Sequence, residues 1–459
     1  MKNIKRNIRI GQGATAFAPY PDAVVAEGLV FTSGTRARFQ GKGFAALPKS
    51  ARDKQQGFGL VDHYEGAVSE GAWEAHSSLE DVLVAAGSNN AQILRQHMWQ
   101  KDKRFFPCYE RVRIHWQPSP SPSSGLGVKF IPGSGNQWIG LDAIAVVPGA
   151  NTTFGERKML ADVNHVALPS AAHYAQAVQS GPLIFTAGFI AIKTSEPGKP
   201  VVQGFDDVPV EGRKLATGRS HPDSRDGPIA AQTWFIYKQL EELLARGAIR
   251  LQDVIMSTVF LSDLRDFAVF HRVHRQFFPE NGPALCVIGM DEVGHRDCRI
   301  EIELTAVDPA FDLPIKSSGW SVPAPQAGPG AVNVGQFVFC SGIVGLGKQG
   351  QLVLSADDFD DAESRAVVAN FRGRDAVTAT QSLAALQCLK GNLTLAGTTL
   401  AGLVKLTLYV GELRDLEVFE QVRSKVLDTS QLPAFECICV QGPGPVPEAN
   451  VQLEAIAVL

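Results

Sequence analysis

Three α+β units in tandem are what the sequence predicts, and three observations predict them. The first is length: at roughly 100–200 residues per domain, 459 residues exceed what one hydrophobic core organises. The second is an apolar run ending in a small residue and glycine. It occurs as LVFTSG, LIFTAG and FVFCSG, and its glycines, Gly34, Gly188 and Gly342, are 154 residues apart each time. The third is a strand-like segment with an acidic residue near the end of each unit. GLDAIAVVP, RIEIELTAVDP and VQLEAIAVL carry Asp142, Glu303 and Glu454, spaced by 161 and 151 residues. Periods this long are whole domains, because each unit buries its own core. Boundaries fall in the turn-rich stretches at 150–160 and 311–320, giving units 1–152, 153–312 and 313–459.

Within a unit the elements follow in a fixed order. Strands come first and end near the repeated glycine, and a variable loop follows. IAAQTWFIYKQLEELLARG and AVTATQSLAALQCLKGNLTLAG then place apolar residues at helical spacing, with Gly247 and Gly397 at the stop. DVIMSTVFLSDLRDFAVFHRVHRQFF and GLVKLTLYVGELRDLEVFEQVRSKVL mirror each other as alternating strand, Asp-containing turn and helix. In the first unit AQILRQHMWQKDKRFFPCYERVRIHW keeps only this outline, so that unit is the most diverged. A last pair of strands completes the unit. Strand and helix alternate without GxGxxG or a P-loop, which argues against a nucleotide-binding fold.

Composition narrows the function. Apolar residues are 45% and charged residues 20%, ordinary for a globular protein. The 43 basic and 47 acidic side chains give −4, which leaves no basic surplus for nucleic acid. No run of about 18 apolar residues predicts a membrane span. The opening MKNIKRNIRIGQG has charge without an apolar core, so it does not read as a secretory signal. The seven cysteines are then expected to be reduced thiols in a cytoplasmic protein.

The motifs also carry a resemblance. The second unit holds HYAQAVQSGPLIFTAG, AAQT, STVFLSDLRDFAVFHRVHRQFF, PALCV and RIEIELTAV in that order. The third holds QAGPGAVNVGQFVFCSG, TATQSLAALQ, PAFECICV and VQLEAIAV, and the first APYPDAVVAEGLVFTSG and LDAIAVV. Together they resemble the RidA (YjgF/YER057c-like) family in three divergent copies. That resemblance implies a chorismate-mutase-like mixed sheet with two helices on one face. It also implies trimers with ligand clefts between neighbours, so one chain of three copies is expected to be a monomer packed as an intramolecular pseudo-trimer. The implied chemistry is hydrolysis of reactive enamines and imines. An Arg in a PARS-type motif holds the substrate carboxylate, and an acid of the last strand positions water. Carried over, the Arg position falls at Ser123, at Leu285 in PALCV and at Phe435 in PAFEC, so the Arg is absent from all three copies. The acid is carried to Asp142, Glu303 and Glu454, and the pocket Tyr to Tyr20 and Tyr174, with Ala324 in the third copy.

These residues make the candidate site. Glu303 is the expected base or water-positioner, with Asp142 and Glu454 behind it; the competing reading is structural pairing with Arg299 and Glu301 on the same strand. Tyr174 is the expected hydrogen-bond donor and His173 the expected acid–base histidine, while His271 and His274 are expected on a helix surface. Arg36 and Arg38, two apart in GTRAR, share a strand face and are expected to hold a carboxylate. Arg219, in the loop ATGRSHPDSRDGP, is a further binding candidate with Tyr20 and Ser123. The cysteines read as core residues, and no HxH or HExxH pattern suggests a metal; no cofactor is expected. The expectation is a RidA-like hydrolase or deaminase of a small carboxylated imine, enamine or related unsaturated metabolite, bound in an inter-unit cleft. The alternatives are a chorismatase-like hydrolase on the same scaffold and a non-catalytic metabolite-binding or regulatory protein. Leu285 and Phe435 replace a charge with apolar groups, so at least one cleft is expected to be closed.

Overall fold

Each third of the chain builds one mixed sheet of seven strands. The structure, a computed structural model, describes residues 5–11, 17–37, 41–53, 62–150, 153–160, 173–194, 196–198, 200–213, 226–279, 282–326 and 328–459. In the first sheet the order is Arg6–Ile8, Ala23–Ala26, Leu29–Thr32, Ile139–Val146, Ile93–Gln100 and Ser123–Gly127, with Thr35–Arg36 also paired to Ile139–Val146. The other two sheets repeat this order. The strands pair antiparallel except at one edge, where Ile93–Gln100 runs parallel to Ser123–Gly127. A parallel pair needs a crossover. The helix Phe106–Trp116 supplies it, with Phe267–Phe277 and Arg414–Arg423 doing the same in the later units. Asp102 and Asp263 start this crossover, each side chain accepting from a backbone N–H two residues on.

Each unit adds one long helix, Ala67–Ala86, Asp226–Ala245 or Gly373–Leu395, on the same side of its sheet. Three separate apolar clusters lie between these helices and their own sheets. A fourth cluster is shared: Phe31 and Trp99 of the first unit, Phe185 and Phe260 of the second, and Phe339 and Tyr409 of the third meet on the opposite faces. Every sheet is therefore covered on both faces, which is why all eight residues of Val254–Leu261 and of Leu403–Val410 are buried. An apolar side chain so buried contributes about 1.5–3 kcal/mol, so the shared cluster holds the units together strongly.

The ring closes through equivalent hydrogen bonds. Gly188 N–H donates to Ser123 O, Gly342 N–H to Leu285 O and Gly34 N–H to Phe435 O, at 3.3, 2.9 and 2.9 Å. Further bridges join Gly127 to Glu292, Gly289 to Gly442 and Cys439 to Phe130. Each unit thus docks head to tail on the next, and the third returns to the first, the closed arrangement that leaves no unmatched interface.

Three details differ from expectation. The stretch 311–320 is not only a linker, since Ile315–Ser318 pairs as an edge strand with Ala331–Val334. The left-handed residue after Asp226–Ala245 is Ala248, at φ 59°, rather than Gly247. His274 is buried, not on a helix surface, because its Nδ1 meets the Tyr237 hydroxyl at 2.7 Å inside the second unit. All seven cysteines are buried and unbridged. No helix among the described residues is long and apolar enough to cross a membrane.

Candidate active site between the first and second units

The three matching acids converge on the pseudo-threefold axis. Asp142, Glu303 and Glu454 lie on the last strand of each sheet and line a cavity of about 40 Å³. His97 bridges two of them, with Nδ1 3.0 Å from Asp142 and Nε2 3.0 Å from Glu303. Burial would lower the His97 pKa, but Glu303 and Asp142 outweigh it and raise it to about 10. Burial pushes Glu303 up, yet Arg95, 3.4 Å away, and His97 bring it down to about 2. Asp142 is likewise held low against burial by Lys405, 3.7 Å away, and by His97. Glu454 accepts from the hydroxyls of Tyr409 and Thr258 at 2.8 and 3.2 Å, and burial raises its pKa. The three acids thus share their small space with Arg95, Lys405 and His97. The cavity's size leaves room for little beyond a water molecule.

Two of the three interfaces are filled by side chains. Strand register makes Ser123, Leu285 and Phe435 equivalent, each paired with the same position of its neighbour, Gln96, Ser257 or Leu406. Between the third and first units, Phe435 stacks on Tyr20 at 4.1 Å and Phe17 meets it edge-on at 5.2 Å. Arg423 lies 5.2 Å over the Tyr20 ring, and the Tyr20 hydroxyl donates to Glu420. Arg36 pairs with the buried Glu436, Nη1 to Oε2 at 3.1 Å, and its guanidinium occupies the space over Gly140. Between the second and third units, Leu285 is fully buried. Gln452 donates to Val287 O at 3.1 Å there, and Gln326 donates to Leu285 O at 2.7 Å.

The interface between the first and second units is open, with a cavity of about 380 Å³. Serine and glycine at positions 123 and 125 leave the volume that Phe435 fills elsewhere. Lys103, Arg113 and Ser123 line it from the first unit, and Tyr174 and Glu301 from the second. Arg113 stands on the crossover helix, where Nη1 donates to Ser123 Oγ at 2.6 Å and Nη2 to Glu110 at 3.0 Å and to His173 O. Its Nε is buried and has no hydrogen-bond partner among the described residues. Glu301 accepts from Gly294 N–H at 2.7 Å. Burial, partly offset by Lys103, raises its pKa to about 7. Burial also raises Tyr174 to about 12, so its hydroxyl stays a donor at neutral pH. Gly188 is required here, because a Cβ would come within 1.9 Å of Glu301 Oε1.

The expected residues are therefore dispersed. Tyr174 and Ser123 share the open cleft. Glu303, Asp142 and Glu454 lie on the axis, because residues two apart on a strand share a face while standing about 6.6 Å apart along it. Glu301 reaches the cleft rim while Glu303 reaches the centre. His173 borders the cleft, but its Nε2 is engaged with Gln117 O at 2.7 Å. Tyr20 and Arg36 belong to a filled interface and do not meet Tyr174. Arg38 and Arg219 lie outside the described residues. Sequence reasoning missed Arg113 and Lys103 and treated Glu301 only as an ion-pair partner. Signals existed: Glu301 is an acid where the other copies carry Gly140 and Gln452. Arg113 also sits in a Glu-x-x-Arg pattern that the third unit repeats as Glu420 and Arg423.

Known proteins resemble stretches of this chain. A family model described as Endoribonuclease L-PSP matches residues 216–308. A RutC family protein of Pyrococcus horikoshii is 30% identical over 135 residues, 29% of this chain and 85% of that protein. The 2-iminobutanoate/2-iminopropanoate deaminase of Salmonella typhimurium is 28% identical over 114 residues, 24% of this chain and 87% of that protein. Among solved structures, a chorismatase spans 80% of this chain and 93% of its own at 10% identity, with a TM-score of 0.46.

Proposed function

Because the chain belongs to the RidA (YjgF/YER057c-like) family, which includes a 2-iminobutanoate/2-iminopropanoate deaminase, we propose that it hydrolyses small 2-imino acids in the cleft between its first two units. The observation that carries this reading is the position of Arg113. Its guanidinium bonds Ser123, the residue standing where the family's carboxylate-holding Arg is expected, and so restores from a helix the cation lost from the strand. Planar recognition of a carboxylate needs such a fork.

Water adds to the imine carbon, the C=N bond becomes C=O, and ammonia leaves, so imine plus water gives 2-oxo acid plus ammonia. Glu301 takes the proton from the attacking water and returns it to the departing nitrogen, a task suited to a pKa of about 7. Tyr174 donates to the charge that develops at the reacting carbon's substituents. The chain acts as a monomer, since its three units already close on one another.

Arg113→Lys keeps a positive charge for Glu110 and removes the fork. With 2-iminobutanoate generated in the assay, kcat/KM is expected to fall about 10–10²-fold, the scale of one charge-assisted hydrogen bond. A folded variant with wild-type kcat/KM would exclude Arg113 as the anchor.

A further inference from the structure

We propose that Lys103 is a second reactive group of this cleft: an amine that exchanges with the substrate's imine nitrogen and holds the carbon skeleton as a lysine imine until water releases it. The proposal rests on reading the cleft as an imine site and adds a covalent step to it.

The placement is specific. Lys103 begins the turn Lys103–Phe105 that leads into the crossover helix. From there its Nζ lines the cavity, donating to Gly125 O and lying 5.3 Å from the Phe106 ring. Lys193 and Lys348 are held by carboxylates, Asp207 and Asp360, while Lys5, Lys129 and Lys425 meet backbone carbonyls outside this cleft. Lys103 is held by a neutral carbonyl and an aromatic face. Gly125 keeps the approach clear, since a Cβ there would stand 3.6 Å from Nζ and 2.6 Å from Met98 Cε. Burial lowers the amine's pKa, against Glu301 and Glu292, which raise it. A desolvated lysine is the usual way to obtain a free amine nucleophile near neutral pH.

The spacing suits the chemistry. Arg113 bonds Ser123 and Lys103 bonds Gly125, two residues along one strand, roughly 6.6 Å apart. A carboxylate held at the first point presents its adjacent carbon toward the second. The Lys103 nitrogen forms a bond to the imine carbon, giving a geminal diamine. The C–N bond to the original nitrogen then breaks, and ammonia departs with a proton delivered through Glu301. Water next adds to the lysine imine and expels the amine, leaving the 2-oxo acid. Atoms balance as in direct hydrolysis, and no oxidant or reductant is needed.

The test treats the full-length protein with 2-oxobutanoate and sodium borohydride and maps the reduced adduct by mass spectrometry. Expected is a single modified peptide carrying Lys103, saturating at concentrations that leave exposed Lys49 and Lys348 unmodified. Adducts spread over exposed lysines with Lys103 unmodified would overturn the proposal. Lys103→Arg keeps the charge and the bond to Gly125 but forms no imine, so kcat is expected to fall about 10²-fold with KM little changed. Full turnover by that folded variant would also overturn the covalent step. If Lys103 stays unmodified while Arg113→Lys impairs turnover, the lysine proposal fails and the deaminase reading stands. If wild-type protein turns over no imine although Lys103 is modified, the deaminase reading fails instead.

Discussion

Glu301→Gln is expected to lower kcat/KM about 10²–10⁴-fold and, at the same time, to stabilise the folded protein above neutral pH. Both effects have one cause. The carboxyl is buried at the rim of the open cleft, which raises its pKa from 4.5 to about 7. Between those values the folded state holds a proton that the unfolded state has lost. Stability of the wild type therefore falls as pH rises from about 4.5 to 7. Glutamine has no charge to bury and still offers a carbonyl oxygen to Gly294 N–H. Above pH 7 the variant should gain about 3 kcal/mol, with little gain near pH 4.5. Urea titrations at the two pH values read this difference. Wild-type kcat/KM should rise with pH through about 7 as the base forms. A variant that turns over normally would remove Glu301 from the chemistry; equal stability of variant and wild type at both pH values would show that its charge is not held in a dry site.

His97→Ala should act on stability rather than turnover. His97 is the one titratable link between the first unit's Asp142 and the second unit's Glu303, among the described residues of the axis. Removing it takes away the cation the two buried carboxylates share and leaves Asp142 with Lys405 and the Trp99 indole, and Glu303 with Arg95 and the Ser124 hydroxyl. Breaking a buried charge pair costs about 3–5 kcal/mol. The folded pKa, about 10, lies above the usual 6.5. The contribution is therefore complete below pH 6.5 and lost as pH rises through about 10, so variant and wild type should converge in alkali. Turnover per folded molecule should persist, since the axis cavity is separate from the cleft. Loss of turnover with unchanged stability would return the chemistry to the axis.

The repeat was legible because equal spacing of Gly34, Gly188 and Gly342 reflects one physical need. Each glycine lets a neighbouring unit's strand or side chain approach where a Cβ would collide, with Glu436, Ser124 and Cys286 respectively. Alternation along the last strand was legible too, but alternation fixes a face and not a depth. Glu301 and Glu303 share the inward face, and only the neighbouring unit's position decides which reaches the cleft. Retention in all three copies favoured Glu303, yet a residue repeated around an axis is what a shared core requires. A working cleft is marked by what differs between copies: Glu301 against Gly140 and Gln452, and Ser123 against Leu285 and Phe435. Arg113 was hidden for another reason. Its guanidinium comes from a different element than the strand where the motif places it, and only packing of the crossover helix brings it to Ser123.

The central claim is that one of the three inter-unit clefts works and the other two are filled. Isothermal titration of the full-length chain with 2-oxobutanoate, the product analogue, tests it most directly through stoichiometry. One site per chain is expected, because Tyr20 with Phe435 occupies one interface and Leu285 with Gln452 another. Two or three equivalent sites per chain would contradict it.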